Sequence, residues 1–180
     1  NLKSNQFYGT WYARARIARG LTFRSEYGVN LLNNDDYHFR EGVIIWHGRA
    51  TAGTLIGNNV SWNWNNSLNF QKQFKGHNLD ILLATEAQKS ARTENTALGE
   101  GFFNSATIYP QDAAIKILGY SQSGYSFNSY ISRINYDFNG KYLFSASLRS
   151  DGSSRFAANS RWGYFPAASV GYILSEEKYF

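Results

Sequence analysis

The sequence predicts an all-β fold, an antiparallel segment of a transmembrane β-barrel, and three observations predict it. Apolar residues recur at every second position over several stretches, separated by small, hydroxylic or amide side chains. Short turns and long connections alternate along the chain. Aromatic residues make up 17 % of 180 positions, yet the mean hydropathy is only −0.45. A period of two means extended strands with one apolar side. In a membrane barrel that side meets lipid, the polar side lines the lumen, and rings collect at the two interfaces.

Taken in order, residues 6–17 place Phe7, Trp11, Ala13, Ala15 and Ile17 opposite Gln6, Thr10, Arg14 and Arg16. A tight turn at 18–20 contains Gly20, which tolerates positive φ. Residues 21–31 return with Leu21, Phe23, Tyr27, Val29 and Leu31 against Thr22, Arg24, Glu26 and Asn30. A long connection is expected at about 32–59, with Val43–Trp46 packing locally inside it. Asn33–Asp36 lacks the spacing and terminal Glu of a calcium loop and reads as solvated chain.

Residues 60–74 alternate most cleanly: Val60, Trp62, Trp64, Leu68, Phe70 and Phe74 face one way, and Ser61, Asn63, Asn65, Ser67, Asn69, Gln71 and Gln73 the other. At about 3.3 Å per residue and a tilt of about 40°, the two ring pairs span an apolar band of roughly 25 Å. Lys72 falls on the apolar face near the turn, where its amine reaches water. After a turn at 75–78, residues 79–92 set Leu79, Ile81 and Leu83 opposite Asp80, Glu86 and Gln88. A second long connection covers about 93–122. Residues 123–137 begin with Tyr125, Phe127 and Ile131 on the apolar face and end with Ile134, Tyr136 and Phe138, so a bulge near Ser132 is expected to keep Arg133 out of lipid. Asn139-Gly140 is a strong hairpin signal. Beyond it, Tyr142, Phe144, Ala146 and Leu148 share a face, as do Trp162, Tyr164, Pro166, Ala168, Val170, Tyr172 and Leu174. Pro166 removes a ladder donor and suggests a second bulge.

Turns at 18–20, 75–78 and 138–141 thus alternate with connections at about 32–59, 93–122 and 150–161, as periplasmic turns alternate with extracellular loops. Ser175-Glu176-Glu177 is then periplasmic. Seven strands with two open edges cannot stand alone in lipid, so the chain is expected to be part of a larger barrel. The absence of a signal peptide and a last residue inside a turn support the same expectation. No run of about 18 apolar residues exists, which bears on helices only.

One stretch carries a resemblance. Arg149, the loop Asp151-Gly152-Ser153-Ser154-Arg155-Phe156, then Arg161-Trp162-Gly163 with Phe165-Pro166, and finally Ser175-Glu176-Glu177, resemble the SusC/RagA family of TonB-dependent outer-membrane transporters. The resemblance implies a barrel of roughly 22 strands with a plugged lumen. Residues 1–180 would be one part of that barrel domain, with plug and remaining strands outside it. It also implies bacterial outer-membrane import of oligosaccharides or peptides. The implied partners are the rest of the barrel and its plug, a SusD-like surface lipoprotein as lid, TonB acting on the plug, the lipid bilayer and lipopolysaccharide.

Read residue by residue, the same loop has a structural role: Asp and Ser close local turns, and Arg149, Arg155 or Arg161 pairs with Asp151. The inward amides Asn63, Asn65, Asn69 and Gln71 donate and accept at once, which suits sugar hydroxyls or peptide backbone, and any wet lumen also needs such residues. Trp46, Phe102, Phe103 and Tyr109 in the connections suit stacking on a sugar or packing against a lid. Catalysis and cofactors are not indicated: His38, His47 and His77 have no metal-ligand spacing, and Gly119-Tyr120-Ser121 lacks a full nucleophile elbow. A net charge of +5, spread along the chain, does not form a nucleic-acid patch. Two alternatives remain open. Phe7-Tyr8-Gly9-Thr10-Trp11-Tyr12 resembles the Gly-x-Trp opening of lipocalins, which would make a soluble ligand-binding barrel, and a His–Ser outer-membrane hydrolase is the other.

Overall fold

The computed structural model describes residues 1–41, 50–102 and 109–177. They form β1 (Leu2–Ala18), β2 (Leu21–Arg40), β3 (Thr51–Phe74), β4 (His77–Glu100), β5 (Ile115–Phe138), β6 (Tyr142–Ser153) and β7 (Trp162–Tyr172), with single 3₁₀ turns at Pro110–Asp112, Ala158–Ser160 and Leu174–Glu176. One seven-stranded sheet joins them in chain order. β5–β6 and β6–β7 are antiparallel. The sheet is open, with β1 and β7 at its edges, so the chain does not form the closed barrel of a lipocalin.

The count of strands agrees with the sequence reading, but their lengths do not. β2 has 20 residues, and β3, β4 and β5 have 24 each. That is about twice the 9–11 residues a tilted strand needs to cross a bilayer. The connections expected at 32–59 and 93–122 are therefore largely strand: β2 continues to Arg40, β3 begins at Thr51, β4 runs to Glu100 and β5 starts at Ile115. Likewise β6 extends to Ser153, leaving 154–161 as connection. Where both faces of a strand meet water, nothing imposes alternation, so Asn33–Asp36 reads as loop yet pairs as sheet. Val43–Trp46 lie outside the described residues.

The three hairpin turns follow local chemistry. Lys75 and Gly76 have φ of 44° and 82°, and Asn139 and Gly140 have 53° and 69°. Positive φ at both central residues matches the twist of the flanking strands. The Gly140 N–H also donates to Asp137 Oδ1 at 2.8 Å. Gly20, at φ 80°, serves the first turn.

Contacts group the chain into two compact units, residues 1–9, 29–61 and 90–124, and residues 10–28, 62–89 and 125–180. In the first, polar pairs link neighbouring strands. Ser4 Oγ donates to Asn34 Oδ1 at 2.7 Å, Gln6 Nε2 to Asn30 Oδ1 at 2.8 Å, and Ser90 Oγ to Asn59 Oδ1 at 3.2 Å.

In the second unit the large apolar side chains cover one outer face. Val170 is 85 % exposed, Trp64 49 % and Phe144 44 %. Among all described residues, the buried apolar side chains are only Ala52, Pro110 and Ala113. A sheet with its rings outside and no core is unstable in water and suited to a hydrocarbon solvent.

Two register expectations are corrected. β5 pairs β6 without interruption from Phe127↔Ser153 to Phe138↔Tyr142, so no bulge exists at Ser132. Arg133 lies opposite Ser147 on the inner face in any case, because the lipid face of β5 carries Tyr130, Ile134, Tyr136 and Phe138. Ile131, opposite Arg149, is on the inner face. Nor does Pro166 cause a bulge: the β6–β7 register is continuous through Leu148↔Pro166. Hydrogen bonds from Ser153 N to Arg161 O and Ile173 N to Lys141 O place the odd-numbered residues in the bonded pairs. Pro166 sits between them, where the β6 ladder needs no donor.

Candidate functional site

The polar face of the second unit is wired across its strands. Turn geometry at Lys75-Gly76 sets Asp80 of β4 against the end of β3. There Asn69 Nδ2 donates to Asp80 Oδ1 at 3.1 Å and Gln71 Nε2 to Asp80 Oδ2 at 2.7 Å. Asn78 Nδ2 donates to Asp137 Oδ1 at 3.1 Å, and Ser145 Oγ to Asn135 Oδ1 at 2.8 Å. All of these except Asn69 line a concavity of about 1410 Å³ together with Ser169 and Gly171.

The predicted amide ladder thus divides. Asn69 and Gln71 are brought together on Asp80, which engages their amide N–H groups and leaves carbonyl oxygens as acceptors. Asn63 lies closely over Gly28, where a Cβ would stand 2.5 Å from Asn63 Oδ1. Asn65 is half-buried on the same face. Among the aromatic candidates, Phe102 packs edge-on against Phe39 at 5.9 Å, and Tyr109 lies 5.7 Å from Tyr37. Both rings therefore brace the end of β2. Trp46 and Phe103 lie outside the described residues.

The Asp151–Phe156 loop is explained contact by contact. Arg149 Nε shares one N–H between the two Asp151 oxygens, at 2.8 and 2.9 Å. Its Nη2 reaches Ser129 Oγ and Glu86 Oε2, each at 3.2 Å. Ser129, 1 % exposed, donates to Asp151 Oδ1 at 2.6 Å. Arg149 is therefore the partner of Asp151, and the cluster ties β4, β5 and β6. Gly152 lacks a side chain because the Trp162 ring covers it: a Cβ there would meet ring atoms at 2.9 Å. Ser154 Oγ accepts from Ser126 N at 2.8 Å, and Ser154 N donates to Ser126 O at 2.9 Å. Ser153 Oγ accepts from Arg155 N at 3.3 Å. The Arg155 guanidinium lies 4.3 Å from the Tyr125 ring centroid, and Arg161 Nε donates to Phe156 O at 3.4 Å. A Cβ on Gly163 would meet the Phe165 ring at 3.0 Å.

On the opposite face, rings form two belts. Phe74, His77, Phe138, Tyr142 and Tyr172 stack in sequence from β3 to β7 with centroids 4.6 to 6.2 Å apart. Tyr136 OH and His77 Nδ1 are 2.7 Å apart. Trp11, Tyr27 and Trp62 form a second stack, and Tyr130 stacks on Trp162 at 5.8 Å. Between Trp162 and Tyr172 a tilted strand advances about 25 Å, the height of a barrel's apolar band. The residue-by-residue reading missed His77, Asp80, Glu86 and Ser129. Asp80 had a signal, since counting back from the Lys75-Gly76 turn puts it opposite Gln71. Among the described residues, no group of three acidic or histidine side chains converges as a metal site.

Comparison with known proteins agrees with this geometry. No protein-family model matches the chain. It is 30 % identical over 174 residues to TonB-dependent receptor P39 of Formosa agariphila, covering 93 % of this chain and 17 % of the receptor. It is 31 % identical over 147 residues to TonB-dependent receptor SusC of Bacteroides thetaiotaomicron, covering 79 % of this chain and 14 % of SusC. The chain therefore spans about a sixth of the length of these relatives. A solved structure of the RagAB peptide transporter superposes with a TM-score of 0.85 at 21 % identity, over 93 % of this chain and 19 % of that one. TonB-dependent receptors are outer-membrane β-barrels. Over most of its length the chain is homologous to TonB-dependent receptors of the SusC/RagA type, and its seven strands match part of the wall of such a barrel.

Proposed function

We propose that the chain is part of a transporter, not an enzyme, that imports oligosaccharides or peptides across the bacterial outer membrane by a TonB-dependent route. The observation that carries this reading is the sidedness of the sheet: belts of rings on one face and a hydrogen-bonded polar wall on the other. Residues 1–180 belong to a single barrel domain whose plug and other strands complete the lumen. A SusD-like surface lipoprotein closes it from outside, and TonB acts through the plug. The RagAB likeness favours peptide among the substrates. Asn63, Asn65, Asn69 and Gln71 offer amide oxygens towards the enclosed space, and Phe102 and Tyr109 brace the end of β2.

The test is uptake of labelled oligosaccharides and oligopeptides by cells with and without the receptor that contains this chain. Uptake of one class is expected to vanish on deletion and on collapse of the proton-motive force. Unchanged uptake of both classes refutes the proposal.

A further inference from the structure

We propose that Arg19, Lys72 and Lys75 form a binding site for the phosphate of an anionic phospholipid headgroup in the periplasmic leaflet. The inference rests on the outer-membrane reading above and adds a ligand on the outside of the wall.

Lys72 shares its face of β3 with Phe70 and Phe74, the lipid face. Its Nζ lies 5.6 Å from the Phe74 ring centroid, so the ammonium is held at the level where the ring belt begins. That level is the headgroup region. The β1–β2 turn is fastened beside it, since Gln71 N donates to Gly20 O at 2.8 Å, which brings Arg19 next to β3. Lys75 occupies the turn immediately after Phe74. All three are exposed.

Lys75 adds an independent observation. It adopts φ 44° at the first central position of its turn, a conformation that long side chains take at a cost. In the sister turn the same position holds Asn139 at φ 53°, a residue suited to it. Turn chemistry alone does not account for a lysine there; a use for its charge does. Among the described residues, no carboxylate forms an ion pair with Arg19, Lys72 or Lys75. Asp80, on the other face, is engaged by Asn69 and Gln71. Three unneutralised cations at headgroup depth match a phosphate, which accepts charge-assisted bonds from ammonium and guanidinium groups.

The experiment is native mass spectrometry of the full-length receptor in detergent, with dioleoylphosphatidylglycerol or dioleoylphosphatidylcholine added at equal concentration. The wild type is expected to retain phosphatidylglycerol several-fold over phosphatidylcholine. In Lys72→Gln/Lys75→Asn the preference should fall to near parity, each removed charge weakening the attraction by up to about five-fold. Lys75→Asn alone should weaken retention while leaving the turn at least as stable, which separates lost charge from lost folding. Lys3→Gln, an equal charge change on β1, should have no effect. Equal retention in wild type and double variant, or no preference for phosphatidylglycerol, overturns the site. Displacement of the lipid by millimolar inorganic phosphate overturns the lipid as its source. Membrane fractionation and heat-modifiable migration of each variant report independently on whether the outer-membrane reading itself fails.

Discussion

Replacing Arg149 with Met tests whether the cluster behind the Asp151–Phe156 loop is structural. The substitution keeps most of the side-chain volume and removes three interactions. The bond to Asp151 joins two charged groups at 2.8 Å, with Asp151 only 21 % exposed. A charge-assisted bond in such a setting contributes about 1.5–3 kcal/mol. The Glu86 contact is longer, at 3.2 Å, and both side chains are about 40 % exposed, so screening holds it to about 0–1 kcal/mol. The Ser129 contact adds little, because Ser129 still donates to Asp151 after the change. The expected loss is about 2 kcal/mol, concentrated at the end of β6. It should appear in hydrogen exchange of the full-length receptor, where opening that bares Ser153 N and Ser154 N would become about 30-fold easier. A double-mutant cycle sharpens the test. Coupling of Arg149 to Asp151, using Asp151→Asn, should exceed about 1 kcal/mol, whereas coupling to Glu86, using Glu86→Gln, should stay below about 0.5 kcal/mol. Protection across 149–156 that changes less than about three-fold, or equal couplings to both carboxylates, refutes the reasoning.

Three further outcomes follow from single contacts. Gly152→Ala should displace the Trp162 ring and break its stack on Tyr130, worth about 0.5–1.5 kcal/mol, and the added cost should largely disappear in a Trp162→Ala background; near-ultraviolet circular dichroism and stability of the pair of variants check this. Gly76→Ala places a Cβ 1.9 Å from Asn139 Oδ1 at φ 82°, so a cost of about 1–3 kcal/mol is expected as faster loss of the heat-modifiable folded band. Lys141 Nζ at 2.7 Å, with Tyr172 OH donating to the same oxygen, holds the Glu177 carboxyl below its ordinary 4.5. A depressed value gives stability that is present above pH 4.5 and lost as pH falls through the lower folded value. The stability difference between wild type and Lys141→Met should therefore shrink on acidification below 4.5 and be flat above it; a difference that grows with acid contradicts the pairing.

How much of this was legible in the sequence depends on where lipid is. In β3, hydrocarbon on one side and water on the other enforce alternation, and Val60 to Phe74 could be assigned to faces directly. Beyond the belts that asymmetry ends, so the outer parts of β2 to β5 looked like loop although their backbone pairing continues. Single apolar residues misled for a related reason. Ile131 suggested the wrong lipid face for β5, because a lumen wall accepts an occasional apolar side chain whereas the lipid face rarely accepts a charge. Arg133 was the more reliable witness, and it needed no bulge to satisfy it. The Asn139-Gly140 turn located the β5–β6 hairpin but not its register: a two-residue turn would pair Phe138 with Lys141, whereas Lys141 stays in the turn and Phe138 pairs with Tyr142, which puts Ser129 opposite Asp151 and Ile131 opposite Arg149. Side-chain partners more than one strand away, such as Glu86 with Arg149, follow from no pairwise count, since they depend on how far a long side chain leans across the intervening strand. The loop sequence from Asp151 to Phe156 is accordingly a set of local packing solutions, with Gly152 answering Trp162 and Asp151 answering Arg149.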